Sequence, residues 1–265
     1  MKIDKYQACG NSFFILDNIS QKVEIRSFDI KILCQQYSKY NPIGGADGFI
    51  IIEKTDKADF LMKFYNDDGK IATMCGNGAR CAVKYAYQNG YIKEIGTFLA
   101  GDGIHSSNVL PNGDICISIK DVTEIQQIEN GFFLNTGVPH FVLFKENLKE
   151  LEVVNTGWEI SHKNCFGRER TNVDFVEILE DGKYYIRTYE RGVEYETLSC
   201  GTGMVAAAIV LNYSRFNDVY NFNLIAEGGI ANVCFNRDGE KFVNIKLTGP
   251  AECLYNLELK ISSGC

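Results

Sequence analysis

Alternating apolar and polar positions recur along this 265-residue chain and predict many short, half-buried strands. Examples lie at 48–53 and 243–248, and turns rich in Gly, Asn and Asp separate such segments. Helix patterns are fewer: one covers residues 28–40, and two others follow Cys75 and Cys200. The segment after Cys200 is apolar nearly all round, which predicts a helix buried inside its domain. We therefore expect a mixed α/β (α+β) fold.

The chain also contains an internal repeat. The motif Cys-Gly-[Asn/Thr]-Gly, followed by a strong helix former, begins at Cys75 and again at Cys200, which gives a period of 200 − 75 = 125 residues. Each motif follows an alternating strand and a turn, and each half opens with a glycine that leads into an apolar strand. These flanks lie at 60–69 and 184–192, and at 10–16 and 137–143.

A period of this length suits a duplicated domain rather than a solenoid. We expect two pseudo-symmetric domains, each a curved, mostly antiparallel sheet around a central helix. The first is predicted to cover 1–122 and to be completed by 253–265, and the second to cover 123–252. The linker is expected near 121–131.

Composition and charge narrow the function. A formal net charge of −7 and a pI near 5.1 argue against general binding to nucleic acid or to anionic membranes. Polar residues interrupt the segment 1–17, so it does not predict a signal peptide. The most apolar stretch, 204–211, is far shorter than the about 18 residues of a membrane span. We expect a soluble cytoplasmic protein. The global charge does not exclude a small-molecule substrate, because a local site can have the opposite charge.

Ten cysteines are scattered along the chain without any C-x-x-C pair. This spacing is poor for zinc or for an iron–sulfur cluster, and a cytosolic chain keeps its thiols reduced. Most of the ten are therefore expected to be small buried residues.

Cys75 and Cys200 stand apart because each lies where a strand and turn lead into the start of a helix. Unpaired N–H groups and the helix dipole at that position can lower a thiol pKa from about 8.5 to roughly 3.5–7.5. The same N–H groups bind anions, and the glycines after each cysteine let the backbone approach a ligand closely.

If two such helix starts face one ligand, they can bind an α-carboxylate through backbone amides. The amides that we expect in this role are those of Gly76, Asn77, Gly201 and Thr202. A thiolate on one side of the α-carbon then removes a proton while a thiol on the other side delivers one, which inverts the stereocentre. The chemistry predicted is that of an amino-acid epimerase that needs neither a metal nor pyridoxal phosphate.

The sequence resembles the diaminopimelate epimerase family over essentially the whole chain. The matching segments occur in the family's order, at 8–13, 65–69, 74–81, 137–140, 171–175, 189–192, 196–203 and 247–251. The resemblance implies a two-domain fold with the active site in the interdomain cleft and with Cys75 and Cys200 as the acid/base pair. It also implies that Glu190 and His140 support catalysis.

The resemblance further implies which residues hold the substrate's amino groups and far carboxylate: Asn11, Asn66, Asn172 and Arg191. The implied reaction interconverts LL- and meso-2,6-diaminopimelate for lysine and peptidoglycan synthesis, and the implied assembly is a homodimer. Arg191 favours a substrate with a second carboxylate, because an Arg–carboxylate pair can be bidentate.

One departure leaves alternatives open, since Ser12 stands where the family usually has aspartate. A racemase of the same fold that acts on lanthionine, histidine or glutamate is the nearest alternative. An isomerase of the phenazine-biosynthesis type shares the duplicated architecture, but we expect it to lack the cysteine pair. A thiol redox or ligand-binding protein is an alternative of another class.

Overall fold

The computed structural model describes residues 1–35, 44–180 and 182–258. The chain separates into two compact units, which we call the outer-sequence unit (Met1–Ile117 with Pro250–Cys265) and the inner-sequence unit (Ser118–Gly249). The domain boundaries that we expect from the sequence, 1–122 and 123–252, stay predictions. Of the segment 253–265, which we expect to complete the first domain, 259–265 lie outside the described residues.

In its described residues, the outer-sequence unit has two helices and a set of short strands. Its elements are β1 (Lys2–Ala8), β2 (Asn11–Asp17), α1 (Ser27–Gln35), β3 (Gly48–Glu53), β4 (Phe60–Asn66), β5 (Ile71–Ala72), α2 (Gly76–Gln88), β6 (Ile95–Ala100), β7 (Gly103–Val109), β8 (Ile115–Ser118) and β18 (Glu252–Glu258).

The inner-sequence unit repeats this order. Its elements are β9 (Ile125–Ile128), β10 (Gly131–Asn135), β11 (Pro139–Phe144), α3 (Val153–Ser161), β12 (Asn172–Ile178), β13 (Tyr184–Glu190), β14 (Tyr195–Thr197), α4 (Gly201–Ser214), β15 (Asn221–Ala226), β16 (Gly229–Asp238) and β17 (Lys241–Gly249), with 3₁₀ turns at Leu148–Glu150 and Asn164–Phe166.

Strand pairing shows that the two units share one topology. In the outer-sequence unit β1–β2 is antiparallel, β2–β3 parallel, β3–β4 and β4–β5 antiparallel, β4–β6 parallel, and β6–β7 and β7–β8 antiparallel. The inner-sequence unit has the same series from β10–β11 to β16–β17. The duplication and the mixed, mostly antiparallel α/β fold expected from the sequence are confirmed.

One further strand completes each sheet from a different part of the chain. β18, which follows the inner-sequence unit along the chain, pairs antiparallel with β1. The corresponding strand beside β10 is β9, which directly precedes β10 in sequence. The outer-sequence unit is therefore discontinuous in sequence and the inner-sequence unit is not.

Each unit buries a central helix among its strands. α2 packs against β1–β4, β7 and β18, and α4 packs against β10–β13 and β15–β17. From Gly201 to Asn212 every residue of α4 is buried, as its apolar sequence predicts. The second helix of each unit lies on the other face of the sheet, where Phe14, Leu16, Phe49 and Ile51 pack with α1. Strands between two helices are buried on both faces.

The sequence predicts one of the two smaller helices and misses the other. The helix expected at 28–40 begins at Ser27 and is described to Gln35, and 36–40 lie outside the described residues. Helix α3 has no counterpart among the predicted helices, because its sequence VVNTGWEIS combines β-branched residues with a central glycine, which are weak helix formers. Tertiary packing overrides this propensity, since α3 covers a cluster that contains Phe141, Val173, Phe175 and Tyr189. No helix among the described residues is long and apolar enough to cross a membrane.

Replacing Gly157 by Ala is expected to destabilise the protein, although alanine is the better helix former. An added Cβ at Gly157 would lie 2.4 Å from the Tyr189 Cβ, so α3 must move off the sheet. Overpacking of this kind costs about 1–3 kcal/mol. Urea unfolding measures the change, with Asn155→Ala, an exposed position in the same helix, as the control. If Gly157→Ala and Asn155→Ala had the same free energy of unfolding, the close packing of Gly157 against Tyr189 would be contradicted.

Candidate active site

Cys200 is the N-cap residue of α4. Its backbone is extended, with φ −117° and ψ 110°, and its carbonyl accepts the first helical hydrogen bond from the Met204 N–H at 2.9 Å. The side chain is buried, with 8% of its residue surface exposed. The thiol therefore sits where unpaired helix N–H groups concentrate.

A histidine–aspartate pair lies beneath the start of α4. Strand alternation turns Val173 and Phe175 toward α3, so the intervening Asp174 points toward α4. His140 Nδ1 lies 2.6 Å from Asp174 Oδ2, and both side chains are fully buried. The other carboxylate oxygen accepts a hydrogen bond from Thr188 Oγ1 at 2.8 Å. Both oxygens of this buried charge are thus satisfied.

Asn172 links this pair to the end of β13. Its Oδ1 accepts a hydrogen bond from the Arg191 backbone N–H at 3.0 Å, and its Nδ2 lies 3.4 Å from His140 Nε2. The Thr202 hydroxyl lies 3.0 Å from the same His140 nitrogen and 3.4 Å from Cys200 Sγ. Through these contacts Cys200 is connected to four other residues that the sequence predicts for the site, namely Thr202, His140, Asn172 and Arg191.

Glu190 ends β13 beside this cluster and is half-buried. Its Oε1 accepts a hydrogen bond from Thr197 Oγ1 at 2.5 Å. Burial raises the pKa of Glu190, whereas Thr197, His140 and Cys200 favour its charged form. The neighbouring Arg191 is half-buried, and its Nη1 donates to the Glu169 carbonyl at 2.6 Å.

The pKa of Cys200 differs from the sequence expectation. Burial raises the pKa of this thiol well above its ordinary value, and the carboxylates of Glu190 and Asp174 raise it further. The Thr202 hydroxyl and the Gly203 amide act in the opposite direction but are weaker. The expected lowering by the helix start is therefore wrong for Cys200, because desolvation and two negative charges outweigh the hydrogen bonds from the Thr202 hydroxyl and the Gly203 amide.

Cys75 occupies the equivalent place in the outer-sequence unit. It is the N-cap residue of α2, with φ −142° and ψ 119°, and its Sγ accepts a hydrogen bond from the Gly78 N–H at 3.4 Å. Its side chain is half-buried. Gly76 and Asn77 form the buried first turn of α2.

Asn77 is held by a buried arginine. Arg80 Nη2 donates to Asn77 Oδ1 at 2.8 Å and to Cys9 Sγ at 3.3 Å, while its Nη1 donates to the Gly76 carbonyl at 3.5 Å. Asn11 begins β2 and is half-buried, and Asn66 ends β4 and is exposed. Strand register places Asn66 opposite Gly48.

Comparison with known proteins decides the family. A family model described as Diaminopimelate epimerase matches residues 4–130 and 132–254. The chain is 40% identical to "Diaminopimelate epimerase" of Flavobacterium psychrophilum, over 96% of this chain and 98% of that one. It is 36% identical to the protein of that name from Aquifex aeolicus, over 79% and 81% of the two chains.

The chain belongs to the diaminopimelate epimerase family.

Solved structures show the same fold at lower identity. A Bacillus anthracis phenazine biosynthesis protein of the PhzF family has a TM-score of 0.76 and 15% identity, over 98% of this chain and 99% of that one. A probable proline racemase from Agrobacterium radiobacter K84 has a TM-score of 0.72 and 12% identity, over 98% and 93%. The family resemblance, the two-domain fold and the assignment to the isomerases are confirmed.

Strand register identifies which residues of this family member are equivalent between the two units. β11 pairs with β12 through His140 and Asn172, as β2 pairs with β3 through Phe13 and Gly48. By the same register, Asp174 corresponds to Ile50. The side chains beneath the start of α4 are therefore polar, whereas those beneath the start of α2 are apolar.

Asp174 and Thr188 are two buried polar residues of this cluster that no sequence motif indicates. Asp174 lies within the matched segment 171–175, in the run Asn172–Ile178, whose first five residues are all buried. A carboxylate inside a continuous buried run is rare unless it is paired, and that signal could have identified it. Among the described residues, no group of three or more His, Cys, Asp or Glu is placed to hold a metal ion.

Glu190→Gln is expected to lower the pKa of Cys200, because it removes a carboxylate that opposes thiolate formation. The midpoint for iodoacetamide alkylation of the Cys200 peptide, followed by mass spectrometry across a pH series, should therefore move to lower pH. Glu180→Gln removes the same charge at an exposed position and should leave the alkylation midpoint of Cys200 unchanged. A midpoint that rises in Glu190→Gln would contradict this electrostatic account.

Proposed function

We propose that this protein is a diaminopimelate epimerase that interconverts the LL and meso isomers by moving one proton at an α-carbon. The observation that carries the proposal is the matched pair of cysteines, each the N-cap of a buried helix in one copy of a duplicated domain. Relatives named diaminopimelate epimerase align along nearly the full chain and support the choice of substrate.

In the proposed mechanism, Cys75 and Cys200 reach opposite faces of one α-carbon. The substrate's α-carboxylate accepts hydrogen bonds from the first amides of α2 and α4, those of Gly76, Asn77, Gly201 and Thr202. One sulfur, as a thiolate, takes the α-proton while the other, as a thiol, supplies a proton to the opposite face. Helix dipoles stabilise the negative charge that grows on the carboxylate in the transition state.

The remaining site residues have supporting roles in this proposal. Glu190 and His140 assist proton transfer at the sulfurs, and His140 is held by Asp174 at 2.6 Å. Asn11, Asn66, Asn172 and Arg191 bind the substrate's amino groups and far carboxylate. The half-buried guanidinium of Arg191 supplies a positive charge for a second carboxylate.

The departure at Ser12 is compatible with this substrate. The Ser12 N–H and hydroxyl both donate to Asp47 Oδ2, at 2.7 and 3.2 Å. Asp47 thus places a carboxylate at the start of β2, although Ser12 itself carries none.

We further propose a cytoplasmic homodimer that works in lysine and peptidoglycan precursor synthesis. The mechanism needs reduced thiols, and none of the nine cysteines within the described ranges forms a disulfide bond. Sedimentation or size-exclusion measurements on the purified chain determine the assembly, and a monomer would remove that part of the proposal.

The substrate is tested by α-proton exchange in deuterated water. LL-diaminopimelate should incorporate deuterium and yield the meso isomer, whereas histidine, glutamate and lanthionine should exchange far more slowly. Faster inversion of any of those three than of diaminopimelate would replace the proposed substrate. No exchange with any amino acid would favour the thiol redox or ligand-binding alternative.

Cys75→Ser and Cys200→Ser should each lower kcat for epimerisation by about 10²-fold or more, because serine is far less acidic than cysteine but nearly isosteric. Circular dichroism should show that both variants fold. Cys165→Ser, at an exposed cysteine, is the matched control and should keep full turnover. Rapid inversion by either single active-site variant would refute the two-base scheme.

A further inference from the structure

A continuous series of buried contacts leads from Cys200 to Asp174. The sulfur lies 3.4 Å from Thr202 Oγ1, that oxygen 3.0 Å from His140 Nε2, and His140 Nδ1 2.6 Å from Asp174 Oδ2. All four residues are buried, so bulk water does not separate these groups. The Thr202 side chain is the only covalent group between the thiol and the imidazole in this series.

The surrounding hydrogen bonds fix where the imidazole proton lies. A backbone N–H can only donate, so the Arg191 N–H identifies the Asn172 atom that it contacts as the carbonyl oxygen. The Asn172 amide nitrogen therefore faces His140 Nε2, at 3.4 Å. Since that nitrogen also only donates, Nε2 is an acceptor and the ring proton is on Nδ1, bound to Asp174.

This tautomer orients the Thr202 hydroxyl. With a lone pair on His140 Nε2, the hydroxyl hydrogen is donated to the imidazole. The hydroxyl oxygen is then available to accept from the Cys200 S–H. All three hydrogen bonds therefore run in one direction, from sulfur toward the carboxylate.

We propose that the Thr202 hydroxyl is a proton relay that couples the Cys200 thiol to the His140–Asp174 pair. The Cys200 proton passes to Thr202 Oγ1 as the Thr202 proton passes to His140 Nε2. The S–H electron pair stays on sulfur. The products are a thiolate, an imidazolium and an intact hydroxyl that now donates to the thiolate. The reverse transfer restores the thiol.

The charges around Cys200 explain why such a relay is needed. The carboxylates of Glu190 and Asp174 face the thiol from β13 and β12, and burial raises the pKa of Cys200 further. An imidazolium at His140, on β11, places a positive charge beside the thiolate and is itself paired with Asp174. The first turn of α4 contributes no acidic side chain. The relay thus offsets the cost of forming a buried thiolate.

The equivalent positions of the outer-sequence unit hold Phe13 and Ile50 in place of His140 and Asp174. Neither side chain can carry a proton. Asn77, at the position of Thr202, accepts from Arg80. The relay is therefore specific to the inner-sequence unit, because the equivalent positions of the outer-sequence unit cannot reproduce it.

Thr202→Val tests the relay because it removes the hydroxyl and keeps the shape of the side chain. Peptide-resolved alkylation by iodoacetamide across a pH series should show Cys200 reacting about tenfold more slowly near neutral pH, the change that a shift of one pKa unit gives. Thr202→Ser should restore the wild-type profile. Cys75, followed in the same samples, should keep its profile in both variants.

Thr136→Val is the matched structural control. It removes another buried hydroxyl, which donates to the Thr202 carbonyl at 3.0 Å without touching the relay, so the Cys200 profile should stay unchanged. A wild-type Cys200 profile in Thr202→Val would overturn the proposal. An equal shift in Thr136→Val would do the same, because it would assign the effect to the anchoring of α4.

Asp174→Asn distinguishes a relay from simple charge repulsion. Removing a carboxylate that opposes thiolate formation should lower the pKa of Cys200 if repulsion is the whole effect. If the relay operates, loss of the group that stabilises the imidazolium should raise the pKa of Cys200. A lower midpoint for alkylation of Cys200 would overturn the proposal. If this variant does not fold, as judged by circular dichroism, Thr202→Val decides alone.

The inference rests on the proposed function, in which Cys200 must alternate between thiol and thiolate, but its test uses no substrate. A shifted Cys200 profile in Thr202→Val without any epimerase activity in the wild-type protein would keep the relay and refute the function. Epimerase activity with an unshifted profile would keep the function and refute the relay.

Discussion

The unsatisfied backbone at the start of a buried helix is the constraint on which both halves of this protein depend. Each central helix is surrounded by strands, so its first N–H groups cannot all turn to bulk water. A cysteine at the N-cap places a small side chain there and leaves the amides of the following glycine-rich turn able to bind an anion. The proposed chemistry depends on that position, and the surrounding strands hold each cysteine in it.

The two duplicated units share the same arrangement of strands and central helix but differ in the side chains that face the start of that helix. The strand pairings are the same in both units, but the side chains under α4 are polar where those under α2 are apolar. Phe13 and Phe64, 6.1 Å apart in an edge-to-face contact, fill the space that His140 and Thr188 fill in the other unit. A pair of thiols on one repeated scaffold therefore need not be chemically equivalent, and the difference arises from neighbouring strands rather than from the cysteine motifs.

The parts of the site that the sequence predicts are those with a local pattern. The glycine-rich motifs, the strands before them and the apolar character of α4 are properties of adjacent residues. The sequence does not indicate the role of Asp174, because that role depends on the parallel pairing of β11 with β12 and on α4 covering that face. Adjacent residues do not specify either feature. The expected lowering of the Cys200 pKa is wrong for a related reason. A helix start can be predicted from the sequence, but the degree of burial and the approach of Glu190 and Asp174 cannot. The sequence does not predict helix α3, because packing on the sheet, rather than helix propensity, stabilises it.

The pairing of β1 with β18 has a consequence for how the protein is made. The inner-sequence unit holds all of its strands within one continuous segment, so it can close as soon as that segment leaves the ribosome. The outer-sequence unit is synthesised first, but its first strand, β1, lacks one of its two partners until β18 has been synthesised. Synthesis order and completion order are therefore reversed, and until the last strand arrives the N-terminal strand presents an open edge to the chaperones and neighbouring chains of the cell.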